Sequence, residues 1–495
     1  MPRGDSTAPR RARRPARGAA AGGRASPQRG TAMKHAPRQR APLTVVILAA
    51  GEGKRMKSAL PKVLQPLAGR PLLKHVIDTA RSLEPAAVHV VYGHGADAVR
   101  AALAGEVVSW TLQPVRLGTG HALLQVMPQI SDAHLVLVLY GDVPLISRAT
   151  LLKLLSLAGP KQLALLSVKL EDPQGYGRIV RGASGLVQRI VEEKDATQRQ
   201  LAIHECNTGV LVCPARLLRG WLGRLRTNNA QREYYLTDVI AMAVRDKLAV
   251  RAVLAADAGE VQGVNDKAQL AELERLCRAQ RARELLAGGV TLADPMRIDV
   301  RGTLDHGSDV CIDVNVIFEG RVRLGDRVRI GAGCVIRDSE IGADTEVFAH
   351  CVIDGARIGP DCSIGPFARL RPAARLAGRV HIGNFVEVKN SQLGEGSKAN
   401  HLAYVGDAEV GSQVNIGAGT IVANYDGATK HGTHIGDDVH TGSNSVLVAP
   451  ITVGAGATIA AGSTVTHSVP GGKLTVARAR QVTLENWRRP VKPGK

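Results

Sequence analysis

Gly51, Gly53, Lys54 and Arg55 follow directly on the apolar run of LTVVILAAGEGKRM, residues 43–56. Two glycines let a backbone turn sharply and approach a ligand closely, and the two cations beside them suit an anion, with phosphate the natural candidate. Met56 leaves the dinucleotide fingerprint G-x-G-x-x-G incomplete, and no G-K-[ST] follows, so this is not a Walker loop. Lys62, in ALPKVL, adds a cation close in sequence. VLVLYGDVP carries Asp142 at the end of an apolar run, where a hard cation such as Mg²⁺ would partner it; a turn or capping role is the alternative. QPVRLGTGHA (113–122) is a second glycine-rich loop, and ECNTGV (205–210) and QGVND (262–266) place amides at strand or loop ends. No Ser or Cys nucleophile motif is present. Together these residues suggest a nucleoside triphosphate held by backbone amides, lysine and Mg²⁺. A sugar phosphate, already an anion, would attack its α-phosphorus. Such a transfer needs alignment and charge neutralisation rather than a general base.

A second group lies in the C-terminal half. SKANHLAYVGDAEVG offers His401 and Tyr404, and VNIGAGTIVANYDG offers Asn415, Asn424 and Tyr425. FARLRP gives Arg371, NFVEVKN gives Lys389 and VARAR gives Arg478. A single histidine more often packs or faces water than reacts. An unperturbed imidazole nevertheless titrates near pH ~6.5, which suits proton removal from an attacking amine.

Two kinds of element must position these groups. From Leu43 to about Asp266, short apolar runs (AAVHVVYGH, HLVLVLYGDVP, QLALLSVKL) alternate with helical patterns such as PLLKHVIDTARSL. That alternation predicts parallel strands covered by helices, with ligands beyond the strands' carboxyl ends. DKAQLAELERLCRAQRARELLAGG, residues 266–289, predicts a long connecting helix stopped by Gly288 and Gly289. The period then becomes six. Leu324-Gly325 precedes Ile330-Gly331, Ile358-Gly359 precedes Ile364-Gly365, and Val410-Gly411 precedes Ile416-Gly417. A later series runs Ile435, Thr441, Leu447, Val453 and Ile459. This is the hexapeptide repeat of a parallel β-helix, each hexad forming one side of a triangular coil. Interruptions at 366–380 and 424–434 read as loops leaving the coil.

Composition narrows the class. Of the 495 residues, 44% are apolar and only 3% aromatic, with 54 glycines, which suits tight repetitive backbone and disfavours an aromatic-rich sandwich. The formal charge of +20 first suggests nucleic acid. Residues 1–42, however, hold eleven Lys or Arg and the single acid Asp5, and read as a disordered basic tail, with Met33 as an alternative start. No aromatic-basic platform accompanies the charge, so a nucleic-acid partner is disfavoured. Seven scattered cysteines without C-x-x-C argue against a disulfide scaffold or zinc site and for a reducing compartment. No apolar run approaches the ~18 residues that span a bilayer. A soluble, cytoplasmic protein is expected.

The sequence L-A-A-G-x-G-[KT]-R-M followed by L-P-K resembles the sugar-1-phosphate nucleotidyltransferases. VYGHGAD, LGTGHA, LYGDVPL, GYGRIV, IVEEKDA, NTGV, NNAQREYYLTD and GVND continue the likeness. Joined to hexapeptide repeats, these motifs resemble the bifunctional N-acetylglucosamine-1-phosphate uridylyltransferase/glucosamine-1-phosphate N-acetyltransferase family, from about Leu43 to the C-terminus. The resemblance implies an α/β chain. After the tail (1–42) come a Rossmann-like nucleotidyltransferase domain (43–267), a linker helix (268–288) and a left-handed parallel β-helix acetyltransferase domain (289–495).

By that resemblance Leu48, Ala49, Ala50 and Gly51 line the nucleotide, Arg55 and Lys62 act catalytically on the phosphates, and Gln113, Gly118 and Thr119 read uracil. Tyr140, Gly141, Gly177, Glu192 and Asn207 hold the sugar side, and Asp142 and Asn265 ligate Mg²⁺. In the β-helix, His401 is the base. Arg371 and Lys389 hold the sugar phosphate, and Tyr404, Asn415, Asn424 and Tyr425 place the glucosamine ring and the carbonyl. Ala418, Ser443, Ala461 and Arg478 lie along acetyl-CoA, which Asn424 and Tyr425 also touch. The substrates are then UTP, acetyl-CoA, glucosamine-1-phosphate and N-acetylglucosamine-1-phosphate, and a homotrimer puts the acyl-CoA clefts between coils. Two departures stand out. The basic tail is not part of the family's usual chain, and Arg232 stands where NAQGEYY has glycine. The alternative is a sugar-1-phosphate nucleotidyltransferase whose β-helix is only structural or regulatory.

Overall fold

A computed structural model describes residues 41–93, 95–490 and 492. The basic tail and Met33 lie outside the described residues, apart from Ala41 and Pro42.

Strand Leu43–Ala49 is buried on both faces, as an apolar run without alternation requires. Val45 and Ile47 join the core on one side of the sheet, while Val46 and Leu48 join the core on the other. The sheet order is Ala249–Leu254, Gln162–Lys169, Glu205–Pro214, Leu135–Tyr140, Leu43–Ala49, Ala87–Tyr92, Ser109–Leu112. Helices Leu72–Arg81 and Arg148–Ser156 cover one face, and Thr119–Val126, Ala215–Leu222 and Asp238–Arg245 cover the other. One strand departs from the expected parallel arrangement. Glu205–Pro214 runs antiparallel to both its neighbours, with a bulge between Asn207 and Leu211. An apolar run with flanking turns carries no mark of direction, so the sequence could not give this reversal.

Helix Lys267–Ala287 leaves the sheet and enters the coil. Its first half packs Leu273 and Cys277 against Met56, Leu67 and Val264. Its second half puts Ala282 and Leu285 into the same core as Val290 and Ile298. Gly288 ends it as predicted.

Beyond Thr291 the chain winds as a left-handed parallel β-helix, mostly of two- to four-residue strands after the longer Ile298–His306 and Val316–Leu324. Val335 lies beside Val352 and Arg357 beside Arg375, so one turn takes 17 or 18 residues. All of the predicted hexad residues point inward: Leu324, Ile330, Ile358, Ile364, Val410, Ile416, Ile435, Thr441, Leu447, Val453 and Ile459 are buried. Residues 366–380 do not leave the coil; they supply the strands Arg369–Leu370 and Arg375–Leu376 in regular register. Their prolines and arginines sit at corners and on outer faces, which the hexad tolerates. Residues 424–431 do leave it. Asn415 pairs with His440, and the lengthened turn accommodates a loop closed by a Tyr425–Lys430 bridge.

Phe318 is 1% exposed inside the coil. Phe318→Ala is expected to cost about 3–5 kcal/mol, as a cavity-forming core truncation does. Thermal unfolding followed by circular dichroism should show a lower midpoint.

Candidate functional site

Carboxyl ends of the parallel strands open onto a cavity of about 500 Å³. Ten residues expected from the sequence line it: Leu48, Ala49, Ala50, Gly51, Lys62, Gln113, Gly118, Thr119, Tyr140 and Asp142. Gly53 has φ 67°, and a β-carbon there would stand 2.6 Å from Lys62 Cβ, so the loop can pass Lys62 only as glycine. Lys62 Nζ donates to Asp142 Oδ2 at 2.5 Å and to Asn265 Oδ1 at 3.5 Å. Three residues from three segments thereby converge. The Asp142 carboxylate is met there by the Lys62 ammonium. Asn265 is fixed by the long helix: Asp266 caps it by accepting from Gln269 N, and Gln269 Oε1 accepts from Asn265 N at 2.7 Å.

Gln113 is buried, its amide donating to Gly118 O at 3.3 Å, with His121 Nδ1 3.0 Å away. Thr119 Oγ1 accepts from Leu236 N. Tyr140 packs its ring on Gly209 (φ 83°), where a β-carbon would overlap the ring. Burial pushes the Tyr140 phenol well above its ordinary range, with the Glu192 and Asp142 carboxylates adding to the effect. Glu192 is raised chiefly by burial, against the hydrogen bond from Thr237 Oγ1 at 2.9 Å. Gly141 N donates to Leu48 O, and Asn207 N donates to Gly177 O at 2.8 Å. Arg55 is exposed and does not line the cavity. Glu52, Arg116 and Glu233 do line it and escaped the sequence reading. The signal for the first two was opposite charge on two glycine-rich loops. Arg232 adopts φ 55°, the left-handed conformation that glycine favours, and the turn is held by Asn229, which bonds Glu233 N and Glu233 O.

One hard-oxygen carboxylate and one amide oxygen, Asp142 and Asn265, fit Mg²⁺, which commonly takes one or two carboxylates and completes its shell with water and phosphate. No group of three or more His, Cys, Asp or Glu converges among the described residues.

On the coil, Gly419 N donates to His401 O, Asn444 N to Ala418 O, Gly462 N to Ser443 O and Arg478 Nη1 to Ala461 O. These bonds stack His401, Ala418, Ser443, Ala461 and Arg478 on successive turns of one corner. His401 is exposed, and its Nδ1 is 2.9 Å from Asn384 Oδ1 on the preceding turn. The other residues lie on neighbouring surfaces. Arg371 pairs with Glu387 at 2.9 Å, and Glu387 lies beside Tyr404 in the ladder. Asn424 is buried and donates to Asp407 and, at 3.4 Å, to Tyr404 Oη. Lys389 crowds Lys430 and pushes its ammonium below the ordinary lysine range. Asn415 is exposed between Lys398 and His440, and Tyr425 is exposed in the loop. No hydrogen bond among the described residues joins His401 to Tyr404, Lys389 or Asn424. Asn384, Glu387 and Asp407 were missed by the sequence reading because their partners lie a full turn away.

Residues 45–292 match the MobA-like NTP transferase domain family, and residues 432–467 match the bacterial transferase hexapeptide family of six repeats. The chain is similar to the bifunctional protein GlmU of Aromatoleum aromaticum, with 58% identity over 91% of this chain and 99% of that protein. It is 57% identical to the protein of the same name from Cupriavidus taiwanensis, over 92% of this chain and 100% of the relative.

A buried carboxyl whose pKa is raised favours folding while it stays protonated. Its contribution is present below the ordinary value near 4.5 and is lost as pH rises through the raised value. Glu192→Gln keeps an acceptor for Thr237 and removes that loss. The variant should melt above the parent at pH 7, with the difference vanishing in acid below the ordinary glutamate range. A paired melting series across pH would show it; a constant difference at every pH would refute the burial argument.

Proposed function

The chain belongs to the bifunctional GlmU family, and from that membership together with its two sites we infer that it makes UDP-N-acetylglucosamine in two steps. It transfers acetyl from acetyl-CoA to glucosamine-1-phosphate. It then transfers uridylyl from UTP to N-acetylglucosamine-1-phosphate, releasing pyrophosphate. The observation that carries the second step is the convergence of Lys62, Asp142 and Asn265 at the strand ends. We propose that residues 43–267 perform it, that 289–495 perform acetyl transfer, and that 268–288 link them.

In uridylyl transfer the sugar phosphate oxygen attacks the α-phosphorus and pyrophosphate leaves. Leu48, Ala49, Ala50 and Gly51 form one wall for the nucleotide; Gln113, Gly118 and Thr119 form the other and read the base. Lys62 neutralises charge as it develops on the phosphates. Arg55, exposed beside the loop, completes that role once the triphosphate extends past the cavity rim. Tyr140, Gly141, Gly177, Glu192 and Asn207 bound the sugar side. Asp142 and Asn265 would hold Mg²⁺, which when bound supplies positive charge at the phosphates.

In acetyl transfer the glucosamine nitrogen forms a bond to the thioester carbonyl and the CoA thiolate leaves. Asn384 Oδ1 accepts from His401 Nδ1–H, which leaves the Nε2 lone pair free to take the amine proton. Arg371 and Lys389 bind the phosphate, and Tyr404, Asn415, Asn424 and Tyr425 orient the sugar and the acetyl group. The stacked corner of Ala418, Ser443, Ala461 and Arg478 carries the CoA. His401 sits on an outer corner of one coil, so a neighbouring coil must supply the facing wall; a homotrimer does this. No described helix is long and apolar enough to cross a membrane. All seven cysteines are free thiols, in keeping with a cytoplasmic setting.

The purified chain should convert UTP, acetyl-CoA and glucosamine-1-phosphate to UDP-N-acetylglucosamine; transfer from N-acetylglucosamine-1-phosphate alone would favour a merely structural coil. His401→Ala should lower acetyl-transfer turnover by about 10²–10⁴-fold, the range for a positioned base, and leave uridylyl transfer intact. Asp142→Ala should do the reverse, lowering uridylyl transfer by about 10²-fold or more while acetyl transfer persists. Separate assays of each half-reaction on the folded variants decide both.

A further inference from the structure

The charged residues lining the nucleotide cavity are two cations, Lys62 and Arg116, and three carboxylates, Glu52, Asp142 and Glu233. Both cations are engaged by carboxylates of the same cavity. Lys62 holds Asp142, and Arg116 Nη1 holds Glu52 Oε2 at 2.6 Å. The first pair is largely withdrawn from water, with side chains 11% and 19% exposed. The second is more open, at 46% for Arg116 and 29% for Glu52. Glu52 belongs to the glycine loop after the first strand, and Arg116 to the loop before helix Thr119–Val126. Their ion pair therefore ties together the two loops between which a nucleotide must pass.

Such an exposed pair adds little to folding stability and exchanges readily. The Arg116 hydrogen bond holds the Glu52 carboxyl below its ordinary range, so near neutral pH it is an anion facing the cavity. A polyanion entering would be repelled by Glu52 and attracted by Arg116. We propose that Arg116 is a further nucleotide-binding residue, which Glu52 holds until a phosphate oxygen of the incoming nucleoside triphosphate takes over its guanidinium. The proposal rests on the uridylyl-transfer reading above. The exchange replaces one charge-assisted hydrogen bond with another, and the planar guanidinium fork matches phosphate as well as carboxylate. Glu52 is not stranded afterwards, because Lys54 Nζ stands 3.4 Å from the same Oε2.

The two partners should act with opposite sign. UTP binding is measured by titration calorimetry on the full chain, alongside turnover in both half-reactions. Arg116→Ala should weaken UTP binding about tenfold, the equivalent of one lost charge-assisted contact. Glu52→Gln should tighten it by a few-fold. The double variant should match Arg116→Ala, since Glu52 acts largely through the guanidinium. Arg116→Lys keeps the charge without the fork and should fall between parent and alanine, which also guards against a misfolded alanine variant. Acetyl transfer should be unchanged throughout. Equal weakening by both single substitutions would make the pair a mere brace between loops and overturn the proposal, as would normal affinity in Arg116→Ala. A parent chain that binds UTP without transferring uridylyl would refute the activity, and the affinities would still decide the exchange; a parent that does not bind UTP would sink both.

Discussion

A polar side chain taken out of water must find a partner, and each half of this chain meets that requirement by keeping its interior almost wholly apolar. In the sheet, strands such as Leu43–Ala49 and Leu135–Tyr140 are covered on both faces, so polar groups collect where the strands end. Asp142 appears two residues after its strand and meets Lys62 there. In the coil, the inward hexad positions are filled by small or aliphatic residues apart from Phe318, and charged side chains are confined to corners and outer faces. His401 and Asn384 meet on such a corner, one turn apart. Both sites are thus products of the same exclusion.

Legibility in the sequence follows from how local each determinant is. The hexad was plain because its period repeats within six residues and each register position is buried in the same way. The first strand and its glycine loop were plain because an unbroken apolar run followed by glycines and cations has few other readings. The reversed strand Glu205–Pro214 was not, since direction is set by which neighbours it pairs with. Residues 366–380 misled because prolines and arginines resemble a loop, although a coil corner accepts them equally well. The pair Glu52–Arg116 joins positions 64 residues apart, and no local pattern announces it. Most of the remaining cavity residues were reached through the resemblance rather than through spacing.

Arg232 shows how a site tolerates an unfavourable residue. A side chain at φ 55° costs about 1–2 kcal/mol relative to the usual helical or extended regions. The turn persists because Asn229 closes it from both sides, donating to Glu233 O and accepting from Glu233 N. The neighbouring residue Tyr234 donates its own N–H to Leu117 O and accepts from Gly120 N, which locks the loop against the second glycine loop. Where glycine would supply freedom, here hydrogen bonding supplies constraint, and the wall of the cavity that Glu233 lines keeps its shape.

The helix Lys267–Ala287 makes the two halves mechanically one. Its 21 residues span about 30 Å. At its start, the Asp266 cap and the Gln269 side chain fix Asn265 beside Lys62. Near its end, Ala282 and Leu285 are set in the first turns of the coil with Val290 and Ile298. Between them Glu274 Oε2 accepts from Ala68 N, and Arg301 of the coil lies against Gly69 of the nucleotide half. A rigid element anchored at both ends cannot shift at one without loading the other. The position of Asn265 therefore depends on a coil core that begins some twenty residues further along the chain.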